Sequence, residues 1–222
     1  MAQGWEPVAG EYLAFVGGGD PAFEWHAEAF LELVPADAAR VLDDGCGEGR
    51  LARRLAGRGH RVTGIDASPT LVRHAQDADP GGTYTVADVC HLPFEDSTFD
   101  AAVSFMVLQD VPDHGRAVLE AARVLRRGGA FCLGIVHPLS SAGDWRSGEL
   151  DSDFVVENYC GSFPRERPLA DCTVTQYHRP IADYVGALAG AGLVLEELQE
   201  LATRRRSPGR IPVFLDLRAR KP

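Results

Sequence analysis

The stretch Val41-Leu42-Asp43-Asp44-Gly45-Cys46-Gly47-Glu48-Gly49-Arg50 sets three alternating glycines directly after a short apolar run, with two aspartates just ahead of them. Glycine permits a tight turn and lets a ligand approach bare backbone. Acids at the same turn favour a ligand that carries positive charge there. Asp66 closes the next strand-like run, 17 residues after Gly49, and Asp88 closes the one after that. A carboxylate at Asp66 can accept hydrogen bonds from both hydroxyls of a ribose, and Asp88 would stand beside the slot for an attached base.

Such residues act together only if a fold brings them to one place. Short runs rich in β-branched or aromatic residues predict strands at "RVLDD", "RVTGID", "TYTVAD", "FDAAVSFM" and "AFCLGIV". Helical patterns alternate with them: "EGRLARRLAGRG", "SPTLVRHAQDA", with Ser68 as N-cap and Pro69 at the first helical position, and "DHGRAVLEAARVLRRGG", with Gly128 and Gly129 at its C-cap. A further helical region, "PAFEWHAEAFLELV", precedes them. Alternating strands and helices predict an α/β fold, a doubly wound parallel sheet whose ligand crevice lies at the carboxyl ends of the strands. The last runs, "LVLEELQEL" and "IPVFLDLRA", alternate apolar with polar, lack a helix between them, and predict an antiparallel pair closing one edge.

The whole chain, 1–222, reads as one domain without internal repeats. Residues 138 to 172 show no clear period, yet Trp145, Phe154, Tyr159 and Phe163 lie among them, and disordered segments are poor in aromatics. We expect a 138–176 insertion and the N-terminal helices (about 1–36) to form a substrate lid. "TVTQYH" and a helix at "RPIADYVGALAGAG" follow it.

Composition bounds the partners. A net charge of −10 repels phosphates, which argues against nucleic acid and anionic membranes; the basic cluster Arg204–Arg210 reads as a solvated loop. No apolar run reaches membrane-spanning length, and the first residues lack the pattern of a signal peptide. Cys46, Cys90, Cys132, Cys160 and Cys172 include no CxxC pair, which predicts reduced thiols in a cytoplasmic protein and no metal site.

Two cofactor classes suit the frame. "GEGRLA" matches the dinucleotide fingerprint G-x-G-x-x-A and is followed by an acid at about the right distance. A dinucleotide, however, sets a doubly charged pyrophosphate at this turn, where Asp43 would oppose it by on the order of a few kcal/mol. S-adenosylmethionine brings an ammonium, a sulfonium, a ribose and an adenine, and no phosphate. The acids favour such a cation-bearing nucleoside.

The succession "VLDDGCGEG", "GHRVTGIDASPTLV", "ADVCHLPFEDSTFDAAVSFMVLQDVPD" and "AARVLRRGGAFCLGIVHP", over about residues 40 to 138, resembles the class I S-adenosylmethionine-dependent methyltransferases, most closely the small-molecule type with a methyltransferase type 11 domain. The resemblance implies a Rossmann-like methyltransferase fold: a seven-stranded, mostly parallel sheet with an antiparallel edge strand. It implies methyl transfer to a small-molecule acceptor at O, N or C, with S-adenosylhomocysteine as product, by a monomer or homodimer. It places Asp43, Gly45 and Gly47 around the methionine part of the cofactor, Asp66 at the ribose, Asp88 and Val89 at the adenine, and the Phe105 backbone at the sulfonium end. Cys46, Ala67 and Gln109 complete the cofactor-binding set. Asp44 stands where the family usually has an aliphatic residue, and Gln109 where many relatives carry a histidine.

Three residues are candidates for catalysis. His137 follows the fifth strand at the functional end of the sheet and could serve as a general base for a phenol, an amine or a carbon acid, or else simply bond to a loop. Tyr177 and His178 could face the same cavity or be structural. Tyr12 and Trp25 could cover the cofactor or lie in the core. The competing functional classes are an NAD(P)-dependent oxidoreductase and a non-catalytic cofactor-binding protein on the same fold.

Overall fold

In the computed structural model, which describes residues 4–19, 21–147, 153–169, 172–202 and 211–222, the run Arg40–Asp44 is the strand β1, held between two parallel neighbours. Val41 and Leu42 are fully buried on opposite faces of it, as a strand covered on both sides requires. The elements before β1 are a single 3₁₀ turn (Glu6–Val8), α1 (Ala9–Gly17) and α2 (Pro21–Leu31). After it come α3 (Arg50–Gly57), β2 (Arg61–Asp66), α4 (Pro69–Ala78), β3 (Thr83–Val86), β4 (Phe99–Phe105), a 3₁₀ turn (Leu108–Asp110), α5 (His114–Val124) and β5 (Leu125–Val136). Ser68 caps α4, its hydroxyl accepting the Leu71 amide at 3.2 Å, and Asp113 caps α5 in the same way through Arg116 at 2.9 Å.

The third helix is shorter than its pattern predicts. It stops at Val124, and Leu125–Gly129 open β5. The ammonium of Lys221 explains the early stop: it donates to the carbonyls of Ala122, Arg123 and Leu125, occupying the helix end that glycines were expected to cap.

Beyond β5 lie α6 (Pro138–Ser141), β6 (Gly143–Trp145), β7 (Phe154–Val156), β8 (Phe163–Leu169), β9 (Cys172–His178), α7 (Ile181–Gly190), β10 (Val194–Leu201) and β11 (Phe214–Arg220). The segment without a period is thus two antiparallel ribbons, β6 with β7 and β8 with β9. Pro164 and Pro168 break the usual strand signature of β8, and a two-stranded ribbon tolerates them because one edge of each strand needs no partner. The basic cluster 204–210 lies outside the described residues.

The seven-stranded sheet has the order β10-β11-β5-β4-β1-β2-β3. Six strands share one direction. β11 is reversed, pairing antiparallel with β5 and β10 at that end of the sheet. The order reverses between β1 and β4, which opens the crevice at their carboxyl ends. Both faces are covered. Val41, Val103 and Cys132 pack against Phe30 and Leu31 of α2 and Leu51 and Leu55 of α3; Leu42, Leu133 and Leu215 pack against Val118 and Ala121 of α5 and Leu188 of α7. Among the described residues no helix is long and apolar enough to cross a membrane, no group of side chains could hold a metal ion, and the five cysteines are free thiols.

Candidate active site

The turn after β1 is made by backbone that only glycine adopts readily. Gly45 and Gly47 have φ of +85° and +55°. At Gly45 a side chain is also excluded by space, since a Cβ would fall 2.4 Å from Val107. At Gly47 the nearest atom to such a Cβ is the Tyr12 hydroxyl at 3.7 Å, so the backbone is open to a ligand. The Gly47 amide points at the second strand and donates to Asp66 Oδ2 at 2.9 Å.

Strand alternation separates the two aspartates. Asp43 shares the face of Val41 and looks into the crevice; Asp44 shares the face of Leu42 and is sealed in the apolar core beneath it. Asp43 is 1 % exposed and its Oδ2 has no hydrogen-bond partner. Burial first, then the negative charges of Asp66 and Glu48, push its carboxyl up to about 7. Asp44 has no partner on either oxygen, and burial with the Asp43, Asp66 and Asp88 charges holds it well above the ordinary carboxylate range. That is the physical meaning of an acid at an aliphatic position: it stays neutral or destabilises the core.

Asp66 is gripped by backbone. Its carboxylate accepts from Gly47, from Ser68 at 2.8 Å and from Ala67, yet burial outweighs these bonds and raises it. β3 ends at Val86, two residues short of Asp88, which instead shapes the following turn by accepting the Cys90 amide at 2.8 Å. Gln109 is buried, donates to the Met106 carbonyl at 2.6 Å, and leaves its own Oε1 unpartnered. Asp43, Gly45, Cys46, Gly47, Asp66, Ala67, Asp88, Val89, Phe105 and Gln109 all line one cavity of about 1200 Å³. The N-terminal Trp5, Tyr12 and Phe23 and the ribbon residues Arg167, Gln176 and Tyr177 line it too. Trp25, by contrast, is 41 % exposed and packs on Phe214.

The geometry turns away from two of the three catalytic candidates. His137 is outside the cavity lining. Its Nδ1 accepts the Leu139 amide at 3.0 Å, capping α6, and its Nε2 meets Glu200 on β10 at 2.9 Å. Both ring nitrogens are committed to the fold, and burial lowers the ring's basicity against the help of Glu200. His178 is likewise engaged twice, by the Ser141 hydroxyl at 2.7 Å and the Tyr159 carbonyl at 2.9 Å. Tyr177, its neighbour on the other side of β9, lines the cavity beneath the Arg179 guanidinium, 4.9 Å from its ring centre.

Sequence reasoning missed three contributors. Glu48, 4 % exposed, pairs with Arg50 and Arg53 and so keeps cationic side chains at the turn neutralised. Asp110 is buried at the cavity wall, bonded by Gln176 and Trp5, and burial pushes it up to about 8. His26, in the same wall, meets the buried Asp216 behind it at 2.6 Å. The lone acid inside the apolar run "VFLDL" was the signal available for that pair.

S-adenosylmethionine fits these groups on what the side chains lack: an unpartnered buried carboxylate oxygen awaits a cation at Asp43, and an unpartnered amide oxygen awaits a donor at Gln109. A pyrophosphate would meet Asp43, Asp66 and Glu48 instead.

Comparison with known proteins agrees. A methyltransferase domain model matches residues 42–133. A malonyl-[acyl-carrier protein] O-methyltransferase of Erwinia pyrifoliae is 37 % identical over 103 residues, 46 % of this chain and 39 % of that protein. A Mycobacterium tuberculosis protein named as a probable S-adenosylmethionine-dependent methyltransferase is 32 % identical over 167 residues, 66 % of this chain and 61 % of its own length. The crystal structure of an S-adenosylmethionine-dependent methyltransferase from Mesorhizobium loti superposes with a TM-score of 0.77 at 29 % identity, covering 90 % of this chain and 99 % of that one. Residues 42–133 thus match a methyltransferase domain, the chain shares the fold of an S-adenosylmethionine-dependent methyltransferase, and it spans about two to three fifths of the curated relatives named here.

Proposed function

We propose that the protein transfers a methyl group from S-adenosylmethionine to a small-molecule acceptor. The observation that carries this is the buried Asp43 carboxylate, with one oxygen unpartnered, beside the open Gly47 backbone, in a cavity of about 1200 Å³, more than a drug-sized ligand needs. The excess leaves room for an acceptor beside the cofactor.

The bound cofactor would supply an electrophilic methyl group, so the protein's work is positioning. Asp43 would hold the ammonium and Asp66, kept in place by three backbone amides, the ribose. Val89 would flank the adenine with Asp88. Trp5, Tyr12 and Phe23 on one side and Leu169, Val174 and Tyr177 on the other would enclose the acceptor and exclude water. These apolar and aromatic walls suit a hydrophobic or aromatic acceptor, and the acidic chain disfavours nucleic acid. Free thiols suit a reducing, cytoplasmic setting. Screening acceptors while monitoring S-adenosylhomocysteine release tests the reading. Cofactor binding without product for any acceptor would favour a binding protein instead, and a thermal shift with NAD alone an oxidoreductase.

A further inference from the structure

His26 on α2 and Asp216 in the middle of β11 are 190 residues apart in sequence and meet Nε2 to Oδ1 at 2.6 Å. Both are buried, at 1 % and 0 % exposure. The imidazole is clamped: it stacks on Phe214 at 3.9 Å with 10° between the planes, and Phe105 lies 4.5 Å from it. With Nε2 committed to Asp216, the remaining nitrogen, Nδ1, bonds to none of the described residues, and the ring forms part of the wall that Asp43 and Phe105 also line. The backbone makes room for the pair. At Gly134 of β5 a Cβ would fall 2.8 Å from Asp216 Oδ1.

Stability does not account for this arrangement. Desolvating an acid and an imidazole largely offsets their attraction, and apolar residues of the same size generally serve a core as well or better. What the arrangement does provide is a fixed ring in the cavity wall, one nitrogen held by Asp216 and the other bonded to none of the described residues. The groups packed on the ring are Phe30 from its own helix, Phe105 from β4, and Phe214 and Asp216 from β11; Asp216 is the one titratable group among them.

We propose that His26 is the general base of the reaction and Asp216 the positioning residue that holds it in the Nε2–H form. This rests on the methyl-transfer reading and narrows it: the acceptor carries an ionisable O–H or N–H at the atom to be methylated. In the step, Nδ1 takes that proton, the O–H or N–H bond breaks, and its electron pair stays on the acceptor atom. The imidazolium so formed is balanced by the Asp216 carboxylate and later returns the proton to water. The fold positions the base, since α2 and β11 both belong to the rigid frame.

The test has two arms. In the protein alone, nitrogen-15 spectra of the His26 ring above neutral pH show a protonated Nε2 and a bare Nδ1; the opposite tautomer overturns the proposal. With an accepted substrate, His26→Gln lowers kcat by roughly 10²–10⁴-fold, removes the acid limb of the kcat–pH profile, and leaves cofactor affinity within about twofold by calorimetry. A His26→Gln protein with unchanged kcat and profile overturns it. Where that variant does not fold, Asp216→Asn carries the same two outcomes. A protein that releases no S-adenosylhomocysteine with any acceptor refutes the methyl-transfer reading and this proposal together, whereas turnover without dependence on His26 refutes this proposal alone.

Discussion

Glu6 and Thr70 bind each other across 64 residues: the Thr70 hydroxyl donates to Glu6 Oε1 at 2.8 Å, and its amide reaches Oε2 at 3.2 Å. The Ser68 hydroxyl donates to the same carboxylate. An acid thus sits at the amino end of α4, where the helix dipole favours it, and ties the first turn of the chain to the residues just beyond Asp66. Those hydroxyl bonds hold the Glu6 carboxyl below its ordinary value. Trp5 and Tyr12, on either side of it in sequence, lie 5.3 Å apart against the cavity.

Glu6→Ala removes that tie. We expect hydrogen exchange of Ala9–Gly17 to quicken several-fold while the sheet amides keep their protection. Unaltered exchange in this helix would show that the carboxylate does not hold it down.

Asp66→Ala deletes the group expected to hold the ribose and leaves the Gly47, Ala67 and Ser68 amides without their acceptor. Bonds to a charged group contribute about 1.5–3 kcal/mol each, so affinity for S-adenosylmethionine falls on the order of 10²-fold or beyond detection by calorimetry. Affinity like that of the parent protein would refute the assignment.

Asp43 titrates near 7 in the free protein, raised chiefly by burial. Below that pH an ammonium must displace a proton from it in order to bind. Affinity for the cofactor should therefore weaken as pH falls from about 7 to 5, a window below that in which an α-amino group itself titrates. Asp43→Asn flattens the dependence. A pH-independent affinity in the parent protein would remove Asp43 from contact with the ammonium.

Asp44 offers a stabilising substitution. An acid whose carboxyl is raised on folding keeps its proton in the native chain while the unfolded chain, at about 3.9, has shed it. Its titration adds no penalty to folding below that value, and the penalty grows as pH climbs toward the native one. Replacing it with an apolar side chain, Asp44→Leu, relieves a buried group without partners, worth on the order of 2 kcal/mol, and raises Tm at pH 7.5 by roughly 4–8 °C. The gain shrinks at pH 4.5. A variant melting at the parent temperature at pH 7.5 would contradict the burial of an unsatisfied acid.

His137→Ala should lower stability by about 1–3 kcal/mol, since it orphans the Leu139 amide and the Glu200 contact. Turnover should stay within about twofold. A collapse of kcat with Tm unchanged would restore His137 as a base.

The sheet and its ligand end were legible because each depends on local pattern: "RVLDD" and "RVTGID" carry their apolar residues and terminal acids in plain view. The ten residues expected at the cofactor reach one cavity because four strand ends place them there. What escaped was non-local. His26 reads as one more residue on an apolar helix face, and only the long-range pairing of β11 with β5 brings Asp216 to it. His137 illustrates the converse. It leaves the correct strand end, but its bonds are decided by Glu200 on a strand 63 residues away. The α5 terminus was misjudged for the same reason, its cap coming from Lys221.

The place of β11 between β5 and β10 makes it the strand that covers two rims at once. Among the described residues β10 joins the sheet through β11, so a sheet lacking β11 would leave two open rims, the flank of β5 and the whole of β10, each able to recruit a neighbouring polypeptide. Docking of β11 closes both, and it delivers Asp216 to His26 in the same movement. Completion of the sheet and assembly of that pair are one event.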